Sequence, residues 1–449
     1  MSIESFGSER GVLTRLRMKT KEGVLRCVGE KEVVDLCSRL VQIPSITPAY
    51  GGDTTEIARF IKEYLEQKGV NVETHDFGSR TVALTSRLKG RLTGPRLILY
   101  GHMDVVPAGE AERWSFPPFC GEIRDGKVLG RGALDMKGGL ASVMTTYLAF
   151  HEADAEFEGS FILAIAPDEE KWMPVEGGLG TQWSLLKSGR LQGDACIMAE
   201  PSGLGTITIG EKGEYWIKVT AKGKPAHATS PMLGDNAIEK MMKVLDAIRS
   251  IGEEIIPTPP ELVNAIQSSK EIASRSMVEQ GLKDKAEGAK RLLDHVAVNI
   301  GEIQGGTMTN VVPDKCIAKL ALVLPMGLDA QRAREKIERL ILKSGVSDVT
   351  FEQFSGEMAG SPTYTKPTEK VVKTVQENAK QVLGITPQLM IATGPGDANV
   401  YRRMGVPSIY YGPTGFAGAH SYDEWVSAAD LISAAKVYAC AAVDYLAAN

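Results

Sequence analysis

The chain has 449 residues, 43% hydrophobic and 24% charged, with a net charge of −5. That length exceeds one ordinary core and implies two domains or more. The mild acidity without a basic block excludes nucleic acid as a partner, and no apolar run reaches the roughly 18 residues of a membrane helix. The opening, "MSIESFGSERGVLTRLRMKTKEGVLRCVGE", is charged throughout and does not read as a secretory signal. Residues 1 to about 28 are expected to be a loosely attached extension. Six cysteines, at 27, 37, 120, 196, 316 and 440, form no CxxC pair. That pattern fits a reducing cytoplasm and offers no structural zinc clasp.

In chain order, "TTEIARFIKEYLEQKG" is helical, with Ile57, Phe60, Ile61, Tyr64 and Leu65 on one stripe and Gly69 closing it. "VNVETHDF", "TVALTSRLKG" and "RLILYGHMD" read as strands. "GGLASVMTTYLAFHEA" is a helix with Leu140, Val143, Met144, Tyr147 and Leu148 facing inward. "SFILAIAPDEE" is a strand, "TQWSLLKSGRL" a helix and "ACIMAEP" a strand. This alternation predicts an α/β layer with a largely parallel sheet.

Near residue 212 the rhythm changes. "EYWIKVTAKG", "NAIEKMMKVLDAIRSI", "HVAVNIGEI", "KCIAKLALVLP", "DAQRAREKIERLILKSG" and "VTFEQF" run strand, helix, strand, strand, helix, strand. That is the split βαβ, ferredoxin-like order of a small α+β domain. A charged stretch at 252–294 interrupts it and reads as a surface excursion. The α/β pattern resumes after 357. The expectation is one catalytic domain in two segments, 1–211 and 358–449, with an inserted domain at 212–357. Glycines around 210–213 and 356–360 are the expected hinge.

Several apolar runs end in ligand-type side chains. "LILYGHMD" ends in His102 and Asp104, "GRGALDMKGG" carries Asp135 at a helix start, and "ILAIAPDEE" gives Glu169 and Glu170. "CIMAEPSG" gives Glu200 and "GFAGAHSYDEW" gives His420 in a glycine-rich loop. A parallel sheet would gather most of these at one edge. Histidines with carboxylates suit Zn²⁺, Mn²⁺ or Co²⁺. Adjacent carboxylates repel, so their crowding beside a buried strand points to cations that neutralise them. One bridging carboxylate can hold two ions about 3.5–4 Å apart. His102 and Asp104 share a strand face, so Asp104 can accept the far ring N–H and fix the tautomer. Of Glu169 and Glu170, one can bind metal while the other approaches the attacking water as a base.

Eight pieces in order, "LYGHMDVVPAG", "WSFPPF", "GRGALDMKGG", "APDEE", "AEPSG", "GKPAHATSP", "GGTMTNVVPDKC" and "AHSYDE", resemble the M20 metallopeptidase family. That group includes acetylornithine deacetylase, succinyl-diaminopimelate desuccinylase, aminoacylase and glutamate carboxypeptidase. The resemblance spans nearly the whole chain and implies a zinc-exopeptidase-like catalytic domain with a lid and dimerisation domain. It implies two divalent ions, most readily zinc, bridged by Asp135. His102 and Glu200 complete one metal site, and Glu170 and His420 the other. Glu169 is the general base and acid, Asp104 orients His102, and a cis peptide follows Asp135. His227 reaches a partner subunit's site to stabilise the oxyanion, and Asn310 contacts substrate. The implied reaction is amide hydrolysis of a small N-acyl amino acid by a homodimer, with dipeptidase or carboxypeptidase action as the rival. A non-catalytic relative would lack Glu169 or its ligands. Neither GxGxxG nor GxxxxGK[ST] follows a strand, which disfavours nucleotide binding.

One departure stands out. Many members carry Asp-x-Arg in the strand that reads "AKLALVLP" here, and the Arg pairs with a substrate carboxylate. Ala321 and Val323 occupy those positions. Arg402 and Arg403 are the candidate replacements. Trp172 and Pro174 lengthen the loop after Glu170, which is expected to narrow the pocket.

Overall fold

The computed structural model describes residues 20–170, 180–354 and 360–447. The expected long loop at 171–179, and Gly356 of the expected hinge, lie outside these. The larger of two main sheets runs in the order Glu73–Asp76, Val82–Lys89, Glu158–Ala166, Leu92–His102, Ala195–Met198, Ser408–Tyr410, Thr206–Glu211, Thr363–Tyr364. Its four middle strands, from Glu158–Ala166 to Ser408–Tyr410, are mutually parallel. The flanks are mixed: the first two strands and Thr363–Tyr364 pair antiparallel, while Gln388–Ala392 joins Thr206–Glu211 in parallel. The middle strands read as continuous apolar runs because both faces are covered. Leu97, Ile98, Leu99, Tyr100 and Phe161 to Ala166 are all buried.

Helix Gly138–Glu152 is buried from Gly138 to Phe150, on every face rather than on one stripe. It lies between the sheet and helices Glu30–Val41 and Ala428–Tyr445. Its polar residues are matched there: Ser142 Oγ donates to Leu431 O at 3.1 Å and Thr146 Oγ1 to Ala435 O at 3.0 Å. Alanines 434, 435, 439 and 442 of the facing helix permit this approach.

The second sheet has four antiparallel strands in the order Ala297–Gly305, Lys315–Leu324, Gly213–Lys222, Val349–Gln353. Helices Ala237–Arg249 and Ala330–Lys343 cover one face, giving a ferredoxin-like α+β unit with its own core of Ile217, Val219, Leu320, Leu322, Val244, Ile248 and Ile337. The protein is thus a two-segment α/β body with an inserted α+β lid.

Two expectations fail. Residues 20–27 are not loose: they form a helical stretch with Val24 fully buried, and Lys21 Nζ reaches Asp444 Oδ2 at 2.6 Å and Asn378 Oδ1 at 2.9 Å. The stretch 252–294 is not a surface excursion. Leu262, Ala265, Ile266 and Leu293 join the core of the catalytic body, and Ser269 Oγ accepts the Ile391 N–H at 2.8 Å. Its helix Val263–Glu279 packs along Gln388–Ala392, covering that strand. Few apolar residues in a charged segment are enough to bury one side.

Candidate metal centre

Three neighbouring parallel strands deliver their C-terminal ends to one edge. Leu92–His102 ends in His102, Glu158–Ala166 leads within four residues to Glu169 and Glu170, and Ala195–Met198 leads to Glu200. Asp135 arrives on the tight turn before helix Gly138–Glu152, where the Asp135–Met136 peptide is cis. Close approach needs glycine at two places. A Cβ on Gly139 would stand 2.0 Å from Ala199 O, and one on Gly412 2.3 Å from Glu200 O.

Asp135 sits between two histidines. His102 Nε2 lies 3.2 Å from Asp135 Oδ1, and His420 Nε2 lies 3.3 Å from Asp135 Oδ2. Glu200 Oε1 is 3.6 Å from His102 Nε2, and Glu170 Oε1 is 3.0 Å from His420 Nε2. His102, Asp104, Asp135, Glu170 and Glu200 are buried, while the His420 side chain is 51% exposed and closes the site toward solvent. Ligand atoms of His102, Asp135 and Glu170 all fall within 4.8 Å of one another. This donor set fits a divalent cation, and the two Asp135 oxygens facing different histidines give a bridging carboxylate its geometry.

The electrostatics follow from crowding. Burial pushes Glu169 and Glu200 well above the ordinary carboxylate range and raises Glu170, with neighbouring carboxylates adding to each. Burial opposes a charge on His102, yet hydrogen bonds to Asp104 and Asp135 carry it well above its usual value. Hydrogen bonds to Asp135 and Glu170 hold His420 up to about 10. Without cations, protons do the neutralising.

Asp104 behaves differently from expectation. His102 Nδ1 lies 3.0 Å from the Asp104 backbone carbonyl, and the carboxylate is farther, at 3.5 Å. The carboxylate instead accepts the Glu169 N–H at 3.1 Å and the Glu170 N–H at 2.9 Å. One residue therefore orients the histidine and clamps the two glutamates. Asp168, the third acid of the run, is engaged by the following helix. It accepts a hydrogen bond from Thr181 Oγ1 at 2.8 Å and so holds the start of the following helix.

Arg402, the expected replacement anchor, is buried beside Glu211. Its side chain is 3% exposed, with Nη1 3.3 Å from Glu211 Oε1 and Nε donating to Ser408 O at 3.0 Å. Arg403 is turned toward Asn399 and Ser361 O. "GPGDAN", read from sequence as a turn, opens helix Asp397–Arg403. His227 and Asn310 lie together in the lid, joined by the Ala228 N–H to Asn310 O bond of 2.9 Å, and both are exposed. Thr229 N–H donates to His227 Nδ1 at 3.2 Å, and this leaves Nε2 as the donor in the neutral ring.

Sequence reasoning missed Glu424. Its Oε1 accepts the Leu134 N–H at 2.9 Å and the Asp135 N–H at 3.1 Å, while Oε2 pairs with Arg131. It lies four residues after His420, so one loop supplies a ligand and fixes the Asp135 turn. Also missed was Asp397, hydrogen-bonded by Tyr100 and pushed up to about 7 mainly by desolvation. No spacing rule ties either to the cluster.

A cation-binding cluster at the strand ends of an α/β body, with a further carboxylate beside it, defines a metal-dependent hydrolase. The chain belongs to peptidase family M20/M25/M40, whose pattern matches residues 98–444, and it acts on amide bonds. It is 27% identical over 413 residues to the succinyl-diaminopimelate desuccinylase of Methylorubrum extorquens, covering 90% of this chain and 96% of that one. Its fold is shared with the M20 family metallo-carboxypeptidase Sso-CP2 of Sulfolobus solfataricus, with a TM-score of 0.71, 21% identity, and coverage of 92% of this chain and 99% of that one. It is shared also with human carnosine dipeptidase 1, with a TM-score of 0.68, 19% identity, and coverage of 95% and 98%.

Proposed function

We propose that the chain is a two-zinc deacylase that hydrolyses the amide bond of a small N-acyl amino acid. The observation that carries this is Asp135 with one oxygen toward His102 and the other toward His420, and Glu169 alongside. Asp135 would be shared by the two ions, His102 and Glu200 would hold one, and Glu170 and His420 the other, with cobalt or manganese as substitutes. Such ions supply Lewis acidity and lower the pKa of water toward about 7. The chain's own residues then move the protons. Glu169 takes one from the attacking water and returns it to the leaving amine. A carboxyl group already raised by burial is matched to both roles. His227, with Nε2–H free, donates to the developing oxyanion.

The acyl-removing reading is supported by the desuccinylase relative, and cleavage of dipeptides or of a C-terminal residue is the second reading, supported by the shared fold of the carboxypeptidase and dipeptidase. We further read the protein as a cytoplasmic homodimer. The strand Ala297–Gly305 is a largely exposed sheet edge, suited to pairing with a second copy. All six cysteines are free, as in a reducing compartment. No helix among the described residues is long and apolar enough to cross a membrane.

The test is a panel of N-succinyl and N-acetyl amino acids, dipeptides, and substrates without a free carboxylate, each with zinc, cobalt and manganese. The deacylase reading expects the highest kcat/KM on an N-acyl amino acid. Dipeptides leading the panel would replace it with the second reading, and no turnover on any amide would end both.

A further inference from the structure

The last residue of Thr206–Glu211 and the first of Gly213–Lys222 flank Lys212, so Glu211 and Lys212 join the catalytic body to the lid. Their side chains are anchored to different segments. The Glu211 carboxylate is fully buried in the body. Its Oε2 accepts the Gly396 N–H at 3.2 Å, and its Oε1 is hydrogen-bonded by the Tyr410 hydroxyl and faces Arg402 Nη1 at 3.3 Å. The Tyr410 hydroxyl also accepts the Ala398 N–H at 3.1 Å. Lys212, equally buried, donates to Leu292 O and His295 O at the end of the 252–294 stretch.

The turn that Glu211 holds lies against the base. A Cβ on Gly396 would stand 3.4 Å from Glu169 Oε1 and 2.5 Å from the Tyr410 hydroxyl oxygen. Gly396 is therefore a bare backbone wall for the Glu169 carboxylate. Its own amide hangs on Glu211, and that of Ala398 hangs on Tyr410. Proton transfer depends on alignment, and a 1 Å misplacement costs about a hundredfold in rate.

We propose that Glu211 is a positioning residue for the hydrolysis: through Gly396 and Tyr410 it fixes the wall against which Glu169 is aimed. The inference rests on Glu169 as the proton carrier. A purely structural role, as counter-ion to Arg402, would instead lower stability and folded yield without touching kcat of the folded enzyme.

Zinc-loaded Glu211→Gln and Tyr410→Phe are compared with wild type on the best substrate of the panel. For Glu211→Gln we expect kcat to fall roughly tenfold to a hundredfold, with KM and metal content unchanged. Amide exchange across 394–398 should rise while that of 97–102 stays as in wild type. Tyr410→Phe keeps the Glu211–Arg402 pair and should shift kcat and exchange in the same direction by a smaller factor. Wild-type kcat and exchange in folded Glu211→Gln would overturn the proposal, as would a loss that merely tracks lost metal or lost folded protein. If Glu211→Gln does not fold, unchanged kcat and exchange in Tyr410→Phe overturn it. The exchange readout uses no substrate, so it separates this inference from the fate of Glu169: full turnover in Glu169→Gln would sink the proposed chemistry instead.

Discussion

The catalytic body and the lid hold their reactive groups in opposite ways. In the body, His102, Asp135, Glu170 and Glu200 are buried and close together, and backbone amides of Glu169, Glu170 and Asp135 are tied down by Asp104 and Glu424. In the lid, His227 and Asn310 reach solvent, held by local backbone bonds and a neighbouring threonine. A cluster of like charges has to be built rigidly, because each misplaced carboxylate is an uncompensated buried charge. An oxyanion donor, the role proposed for His227, would carry no such cost and could be delivered late, by lid closure or by a second copy.

The comparison breaks first at the base. Glu169→Gln should lower kcat by roughly 10²- to 10⁴-fold while metal content stays unchanged. Near-wild-type turnover would remove Glu169 from the chemistry. Next comes the lid: His227→Ala should cost about 10²- to 10³-fold in kcat without a change in Tm, since the side chain is not packed in a core. Mixing inactive Glu169→Gln and His227→Ala subunits sharpens this. If the histidine serves a partner, random reassortment restores about a quarter of wild-type activity; a lid acting on its own body restores none.

A third measurement concerns protons. At pH 7 the metal-free site keeps His102 and His420 charged, because both lie above their ordinary value, His420 at about 10. Ligation needs neutral rings and ionised carboxylates, so zinc binding should release protons and weaken as pH falls. Calorimetry in buffers of different ionisation enthalpy reads this directly, and no proton release would contradict the charge assignment. The smallest effect lies at the joint between the regions. Burial brings Lys212 down to about 8 from 10.5. Below pH 8 both folded and unfolded chains carry the proton, and burying it costs about 3 kcal/mol. Above pH 8 only the unfolded chain keeps it, so wild-type stability should rise toward pH 10 relative to Lys212→Met. Parallel urea curves for the two proteins across that window would show otherwise.

Much of the body was legible because apolar runs ending in His or Glu record both strand burial and the sheet edge. "LILYGHMD" and "ILAIAPDEE" carry strand, edge and ligand in single stretches. What stayed hidden are pairings between distant segments. Arg402 looked available beside "GPGDAN", and only the fold shows Glu211, 191 residues earlier in the chain, occupying it. Glu424 ends the motif "AHSYDE", but its bonds to the Asp135 turn appear only when both loops are placed. The 252–294 stretch misled because its charge pattern reports the exposed side, while a few residues such as Leu262 and Ile266 make the contact with the body. Periodicity tells which side of an element is apolar and is silent about what covers it.

The central claim is that two cations share Asp135. Diffraction from crystals grown with zinc, recorded across the zinc absorption edge, tests it most directly. The account predicts two anomalous peaks about 3.5–4 Å apart, one against His102 and Glu200, the other against Glu170 and His420, with Asp135 touching both. Zinc elsewhere, with the Asp135 oxygens bound to no ion, would contradict it.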